Sequence, residues 1–358
     1  MPDIIKILPT EVSNKIAAGE VVQRPSSVLK ELLENSIDAN ASRIKIVIKN
    51  AGKNLIQVID DGQGMSRNDM HKSFVKHATS KINKIDDIFS INSMGFRGEA
   101  LAAIASVSMI EMSSSKLNEN DGYFIELNGG KIISEKELTG NKGTSIKVQN
   151  LFYNVPARRN FLKSDFVELK HIINVFNNIA LSHNEIEFSF INNGEEIFYL
   201  KKESLKKRII SIFGEKISQN LIPLNEDTQI ASLNGFILKP DFAKKSRSNQ
   251  YIFVNNRSVK SQFINHSIFS SFEGLLRDGY YPGYFLFINI DPTKIDVNVH
   301  PNKTEIKFDD DQNLYSIINS AVKHCLGIYQ VSPVLDFDKD PSMDISYSQI
   351  ETNPKIPS

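Results

Sequence analysis

A mixed protein of the α/β or α+β class is what this sequence predicts, and three observations carry that expectation. Residues 28–39 place apolar side chains at helical spacing. Directly after them, Arg43 to Lys49 and Leu55 to Ile59 alternate apolar and polar residues. Helical and strand patterns then go on interleaving as far as about Tyr329, with no internal repeat.

The helix comes first. At about 100° per residue, Val28, Leu29, Leu32, Leu33 and Ile37 share one face, while Glu31, Glu34 and Asp38 crowd within about 60° on the other, with Asn35 beside them. Arg24-Pro25-Ser26-Ser27 starts the helix with a proline whose φ is preset and serines able to cap free N–H groups. Such a stripe is compatible with an ordinary solvated face. Like charges at i,i+3 and i,i+4 nevertheless destabilise a helix by about 0.2–0.5 kcal/mol per pair. With hardly a basic residue close in sequence, that cost is easier to understand if Mg²⁺ and its waters occupy the stripe, although on this segment alone the solvated face is the simpler reading.

The strands follow. Ile44, Ile46 and Ile48 fall on one face, Ala51-Gly52-Lys53-Asn54 turns the chain, and Leu55 to Ile59 returns as the second strand of an antiparallel hairpin. It ends in Asp60-Asp61-Gly62-Gln63-Gly64-Met65, whose glycines permit positive φ and close approach to the backbone. Asp-x-Gly-x-Gly by itself is also a common tight turn. Read functionally, Asp60 accepts a hydrogen bond from an exocyclic base amine, and a flat ring lies against the glycines beside Met65. Further on come His77-Ala78-Thr79-Ser80-Lys81 and Gly95-Phe96-Arg97-Gly98-Glu99-Ala100-Leu101, where a glycine pair runs into an alanine-rich helix. That arrangement is either an anion seat at a helix N-terminus or an ordinary helix start. It fits neither the P-loop nor the dinucleotide fingerprint.

Composition bounds the partners. The chain has 358 residues, enough for two cores, and its 42 basic and 42 acidic residues balance to a net charge of zero, so any polyanion must be met by a local patch. The single cysteine, Cys325, excludes an internal disulfide and a cysteine-rich zinc cluster and fits a reducing compartment. Met1 to Lys6 shows no charged-then-apolar leader, and no apolar run reaches the ~20 residues of a membrane span, so a soluble, cytoplasmic protein is expected.

In order, Glu31-x-x-x-Asn35, Asp60-x-Gly62-x-Gly64, Gly95 to Leu101 and Gly143-Thr144 resemble the four boxes of the GHKL ATPase superfamily, which includes gyrase B subunits, heat-shock chaperones and histidine kinases. The wording is closer still to the MutL mismatch-repair family: Ile16 to Val22, Lys30 to Ala39, the lid segment from Gly95, Phe152-Tyr153-Asn154-Val155-Pro156-Ala157-Arg158-Arg159, and Asp296-Val297-Asn298-Val299-His300-Pro301-Asn302-Lys303. The resemblance runs from about Ile4 to about Tyr329.

It implies a helices-on-mixed-sheet ATP-binding sandwich followed by a smaller α/β domain. It also implies a Mg²⁺-dependent ATPase with Glu31 as general base and Asn35 as metal ligand. Asp60 and Thr144 read adenine, with Gly64 and Met65 beside the ring. Thr79 and Ser80 are contacts, Gly95, Phe96, Arg97, Gly98, Glu99, Ala100 and Leu101 form a phosphate cradle, and Lys303 reaches the γ-phosphate from the second domain. The resemblance further implies a homodimer closed by ATP through residues 1–20, DNA bound with low sequence specificity, the mismatch-recognition protein MutS, and a downstream helicase or nuclease. A non-hydrolysing ATP-sensing scaffold and a gyrase-like member stay open as alternatives, although a pure sensor would have no use for Glu31.

The charged run Lys201 to Arg208 suggests a boundary, with an ATPase domain over 1–200 and a second domain over 201–330 containing a helix from about Gln262 to Arg277. The polar, proline-bearing residues 331–358 read as the start of a disordered linker. MutL proteins continue beyond such a linker into a dimerisation domain, so no nuclease activity is expected of this portion. Arg158, Arg159, Lys163, Arg257 and Lys260 are the candidate phosphate contacts, and Gln262 stands where some relatives have a basic residue. Such contacts need positive charge in register and no motif.

Overall fold

The computed structural model describes residues 15, 18–81, 94–95, 98–116, 121–139, 142–296 and 307–329. The acidic helix, α1 (Pro25–Asp38), begins on Pro25, and Arg24 at its N-cap makes no side-chain cap. The expected capping by serine is therefore not made. Ser26 is instead buried, together with Val28, Leu29, Leu32 and Leu33. β1 (Arg43–Lys49) and β2 (Leu55–Asp60) pair antiparallel with Ile46 opposite Val58, as their alternation requires.

Two short helices, α2 (Arg67–Ser73) and α3 (Ala100–Ser106), precede β3 (Met109–Ser115), β4 (Asp121–Asn128), β5 (Lys131–Thr139) and β6 (Gly143–Gln149). After α4 (Pro156–Phe161) and the long α5 (Asp165–Ser182) come β7 (Glu187–Asn192) and β8 (Glu195–Leu200). These strands make one mixed sheet in the order β5-β4-β3-β6-β2-β1-β7-β8, in which only the β1 and β7 pair is parallel. Helices α1 and α5 pack together over it. Phe176 of α5 meets Phe188 and Phe190 edge-on, with ring centroids 5.8 and 4.9 Å apart.

Beyond α6 (Leu205–Phe213) lie β9 (Leu221–Asp227), β10 (Ala231–Leu238), β11 (Gln250–Val254), β12 (Arg257–Ser258), α7 (Gln262–Ser271) and β13 (Tyr284–Ile290). A second sheet, ordered β12-β11-β13-β10-β9, is covered by α7 and α8 (Asp311–Ile328), with Ile264, Ile268, Leu314 and Ile318 in its core. The helix expected to reach Arg277 stops at Ser271. The hydroxyls of Ser270 and Ser271 bond back to the Ser267 carbonyl, both at 2.9 Å, and Gly274 takes a positive φ of 77° that ends regular winding.

Arg208 of α6 is fully buried, which the charged run in the sequence conceals. Its guanidinium donates to the carbonyls of Ala180, His183, Asn184, Ile186 and Lys201 at 2.8–3.4 Å, and its Nε to Glu203 Oε1 at 3.2 Å. The end of α5, the approach to β7 and the exit of β8 are thereby gathered on one side chain. Leu181 of α5 continues into an apolar cluster with Leu238, Phe253 and Phe285 of the second sheet, and Ser258 donates to Asn178 Oδ1 at 2.9 Å.

Candidate functional site

With its apolar face down on the sheet, α1 presents Glu31, Glu34, Asn35 and Asp38, all partly buried. The stripe is less starved of positive charge than the sequence suggests. Lys30 lies 3.7 Å from Glu34, Lys81 pairs with Asp38, and Arg257 of β12 stands in the field of Glu34 and Asp38. Burial pulls the Arg257 pKa below its ordinary value, while the two carboxylates counter that pull. The Glu31 side chain makes no hydrogen bond among the described residues.

Ser36, one turn along, donates to Asp60 Oδ2 at 2.8 Å, and the Gly62 N–H donates to Asp60 Oδ1 at 3.0 Å. Asp60 is buried, and desolvation outweighs these hydrogen bonds, so its pKa rises above the ordinary carboxylate value. Asp61 points elsewhere: its carboxylate accepts from the N–H groups of Ser42 and Arg43 at 2.7 and 2.8 Å, which ties the turn between α1 and β1. Of the two neighbouring aspartates, Asp60 is the one bonded to α1, through Ser36.

Asp60 is the cross-strand partner of Thr144, and Thr144 that of Ser114, so the three residues share one rung across β2, β6 and β3. The hydroxyls of Ser114 and Thr144 lie 2.9 Å apart, and Ser114 Oγ accepts the Met65 N–H at 2.8 Å. Ser114 was not foreseen from sequence, although a serine in phase with the apolar Ile110 and Met112 was a usable signal. Gly64 has φ +68°, and a Cβ there would fall 1.9 Å from the Ser115 carbonyl, so no larger residue fits.

A second group of contacts, the candidate phosphate side, gathers at the same C-terminal end of α1, around Asn35 and Asp38. Asp38 Oδ1 accepts the Met94 N–H at 2.9 Å and Oδ2 the Gly95 N–H at 3.3 Å, while Lys81 Nζ donates to Asp38 Oδ2 at 2.5 Å and to Asn35 Oδ1 at 3.1 Å. Thr79 Oγ1 accepts the Lys81 N–H at 3.1 Å, Ser80 is exposed, and His77 Nδ1 lies 3.1 Å from Glu99. Gly98, at φ +62°, abuts Ala78, whose carbonyl a Cβ would approach to 2.4 Å. The 77–81 loop and the Gly98–Glu99 turn are thus in contact. Helix α3 begins only at Ala100, so its dipole is that of two turns, and the Leu101 and Met65 side chains lean on the core. Phe96, Arg97 and Lys303, and nearly all of residues 1–20, lie outside the described residues.

Among the described residues no group of three or more His, Cys, Asp or Glu is arranged to hold a metal ion. Asn35 alone fits Mg²⁺ in another way: its amide oxygen already faces a cation, the Lys81 ammonium, and Mg²⁺ keeps most of its ligands as water and phosphate.

For Arg158 and Arg257 the structure departs from the expected set of phosphate contacts. Arg158 turns inward, donating to the Lys15 carbonyl at 3.1 Å and lying over the Phe152 ring at 5.9 Å, and Arg257 faces the acidic helix. Packing and opposite charge reclaim both. Arg159, Lys163 and Lys260 are exposed.

Residues 23–153 match the family of histidine kinase-, DNA gyrase B- and HSP90-like ATPases, and residues 209–327 match the C-terminal domain of DNA mismatch repair protein. Among curated proteins, the DNA mismatch repair protein MutL of Christiangramia forsetii is 54% identical over 97% of this chain, and that of Flavobacterium psychrophilum 53% over 97%. The chain spans 56% and 57% of the length of these relatives. The crystal structure of the N-terminal domain of a DNA repair protein is similar at a TM-score of 0.76 and 25% identity, covering 89% of this chain and 99% of that one. The Aquifex aeolicus MutL ATPase domain complexed with ADP is similar in fold at a TM-score of 0.59 and 24% identity, covering 83% of this chain and 98% of that one. The first sheet and its helices are a GHKL-type ATPase fold, and the chain belongs to the MutL family of DNA mismatch repair proteins.

Proposed function

We propose that this chain binds ATP with Mg²⁺ on α1 and hydrolyses it slowly, and that the ATP-bound form dimerises through residues 1–20 into a clamp around DNA. The observation that carries this reading is the convergence, along one helix, of a buried base-reading rung (Asp60, Thr144), an amide oxygen facing a cation (Asn35), and the backbone of Met94 and Gly95. Mg²⁺, when bound, would neutralise charge on the phosphates and orient them for in-line attack. Asn35 would hold it. Glu31, one helical turn from Asn35, would orient the attacking water and take its proton. Gly95 to Leu101 and Lys303 would surround the phosphates, and Thr79 and Ser80 would flank them. Arg159, Lys163 and Lys260 remain for DNA phosphates.

The domains divide near residue 200, and the whole protein works in mismatch repair with MutS and a downstream helicase or nuclease, in the cytoplasm. No helix among the described residues is long and apolar enough to cross a membrane. Steady-state ATP hydrolysis measured against protein concentration tests the coupling to dimerisation. Specific activity should rise with concentration; a flat profile would overturn it.

Base reading by Asp60 has a pH signature. The carboxylate must be ionised to accept the adenine amine, and burial raises its pKa, so protonation begins at higher pH than for an ordinary carboxylate near 4. Nucleotide affinity should therefore fall as pH drops toward the Asp60 pKa, starting above the usual carboxylate range. The Asp60→Asn chain, with no proton to gain, should lack that step. A step of equal size in both chains would rule Asp60 out as its origin.

A further inference from the structure

Lys81 has no role in the hydrolysis described above, yet its ammonium occupies the centre of the phosphate side. It stands 3.1 Å from Asn35 Oδ1 and 2.5 Å from Asp38 Oδ2, and the side chains of Lys81 and Asp38 are only 20% and 10% exposed. We propose that Lys81 is a built-in countercation at the magnesium position, which must step off Asn35 before Mg²⁺ can bind there, so that Lys81 sets how much Mg²⁺ nucleotide binding requires. The inference rests on the ATP-binding reading of this site.

The geometry supports the exchange at both ends. A magnesium ion needs its oxygen ligands at about 2.0–2.1 Å. Placed on Asn35 Oδ1, it would share one amide oxygen with a second cation in a poorly hydrated pocket, where like charges repel far more than in water. The ammonium is a compact charge on a flexible four-carbon stem and can swing without backbone movement. Asp38, three residues beyond Asn35 on the same helix face, can keep it once it leaves the amide. Its carboxylate is already fixed by the Met94 and Gly95 N–H groups, so it is a firm partner rather than a passing one. A Cβ at Gly95 would lie 3.4 Å from Lys81 Nζ, so the ammonium runs directly beside the Gly95 backbone. The role is one of positioning and metal competition, and no bond-making step is assigned to Lys81.

The test is a binding titration rather than an activity assay: a fluorescent ATP analogue is titrated onto the full 358-residue chain at a series of Mg²⁺ concentrations. Lys81→Met should lower the Mg²⁺ concentration that gives half-maximal affinity by about fivefold or more, the low end for coupled sites, with affinity at saturating Mg²⁺ nearly unchanged. Lys81→Arg, which retains the charge, should restore much of the requirement. A gain of this kind cannot come from a damaged fold. An unchanged Mg²⁺ requirement in Lys81→Met would overturn the proposal, as would weakened binding at saturating Mg²⁺, which would make Lys81 a phosphate ligand. Asn35→Ala separates the two readings. If it abolishes the Mg²⁺ dependence while Lys81→Met has no effect, only the Lys81 proposal falls. If the unmodified chain shows no Mg²⁺-dependent binding, both fall.

Discussion

Alanine in place of Glu31 is expected to lower ATP turnover by about 10²–10⁴-fold, the usual contribution of a positioned general base, which corresponds to about 2.7–5.4 kcal/mol of barrier. Nucleotide affinity should change little, because the base-reading rung, Asn35 and Asp38 are untouched. The Glu31 side chain forms no hydrogen bond among the described residues, so its removal breaks no network among them. Glu34 is the informative control. It lies on the same stripe but is paired with Lys30 at 3.7 Å, and Glu34→Ala should alter turnover far less. Single-turnover hydrolysis and a separate equilibrium titration would read the two quantities independently. Parallel loss of binding and turnover in Glu31→Ala would assign Glu31 to nucleotide holding instead.

The second large effect is one of stability. Arg208→Met should destabilise the fold by about 3–5 kcal/mol, since removing one partner of a buried ionic network leaves the rest desolvated and unpaired. Here the guanidinium would be lost to five main-chain carbonyls and the Glu203 carboxylate, although the His183 and Asn184 carbonyls keep the N–H groups of Ile186 and Glu203, and Glu203 keeps the Ser211 hydroxyl. Arg208→Lys should recover little, because an ammonium has three donors and no planar fork to reach so many acceptors. Denaturant unfolding followed by a signal from each sheet would show whether the loss is shared. A shift of under about 1 kcal/mol would mean that waters replace the guanidinium easily.

What could be read in the sequence was the chemistry that is local. The phase of α1, the alternation of β1 and β2, and the glycines at positions 62, 64, 95 and 98 follow from periodicity and backbone sterics, and they marked the segments that the fold brings together around α1. What could not be read depended on partners distant in the chain. Lys81 meets Asn35 and Asp38 across 46 and 43 positions, and nothing near it in sequence reveals that it neutralises the stripe. Arg158 and Arg257 carry the same charge as Arg159 and Lys260, and only packing separates the engaged pair from the exposed one. Arg208 was hidden in a charged run, although its spacing from Leu205, Ile209 and Ile212 puts it on the apolar phase of α6. That phase was the missed signal.

If the rung formed by Asp60, Thr144 and Ser114 reads the base as proposed, recognition is tied to strand registration. In that proposal the hydrogen-bond ladder of three strands sets which of their side chains meet the base, with the Gly64–Met65 turn beside them. If β6 slid by a single residue, its neighbours Gly143 or Ser145 would take the place of Thr144, and every side chain of the strand would change faces. A base pocket built on this rung would therefore have no gradually weakened form: it would come into being when the sheet closes in register. Discrimination among nucleotides would in that sense be inherited from cooperative folding of the sheet.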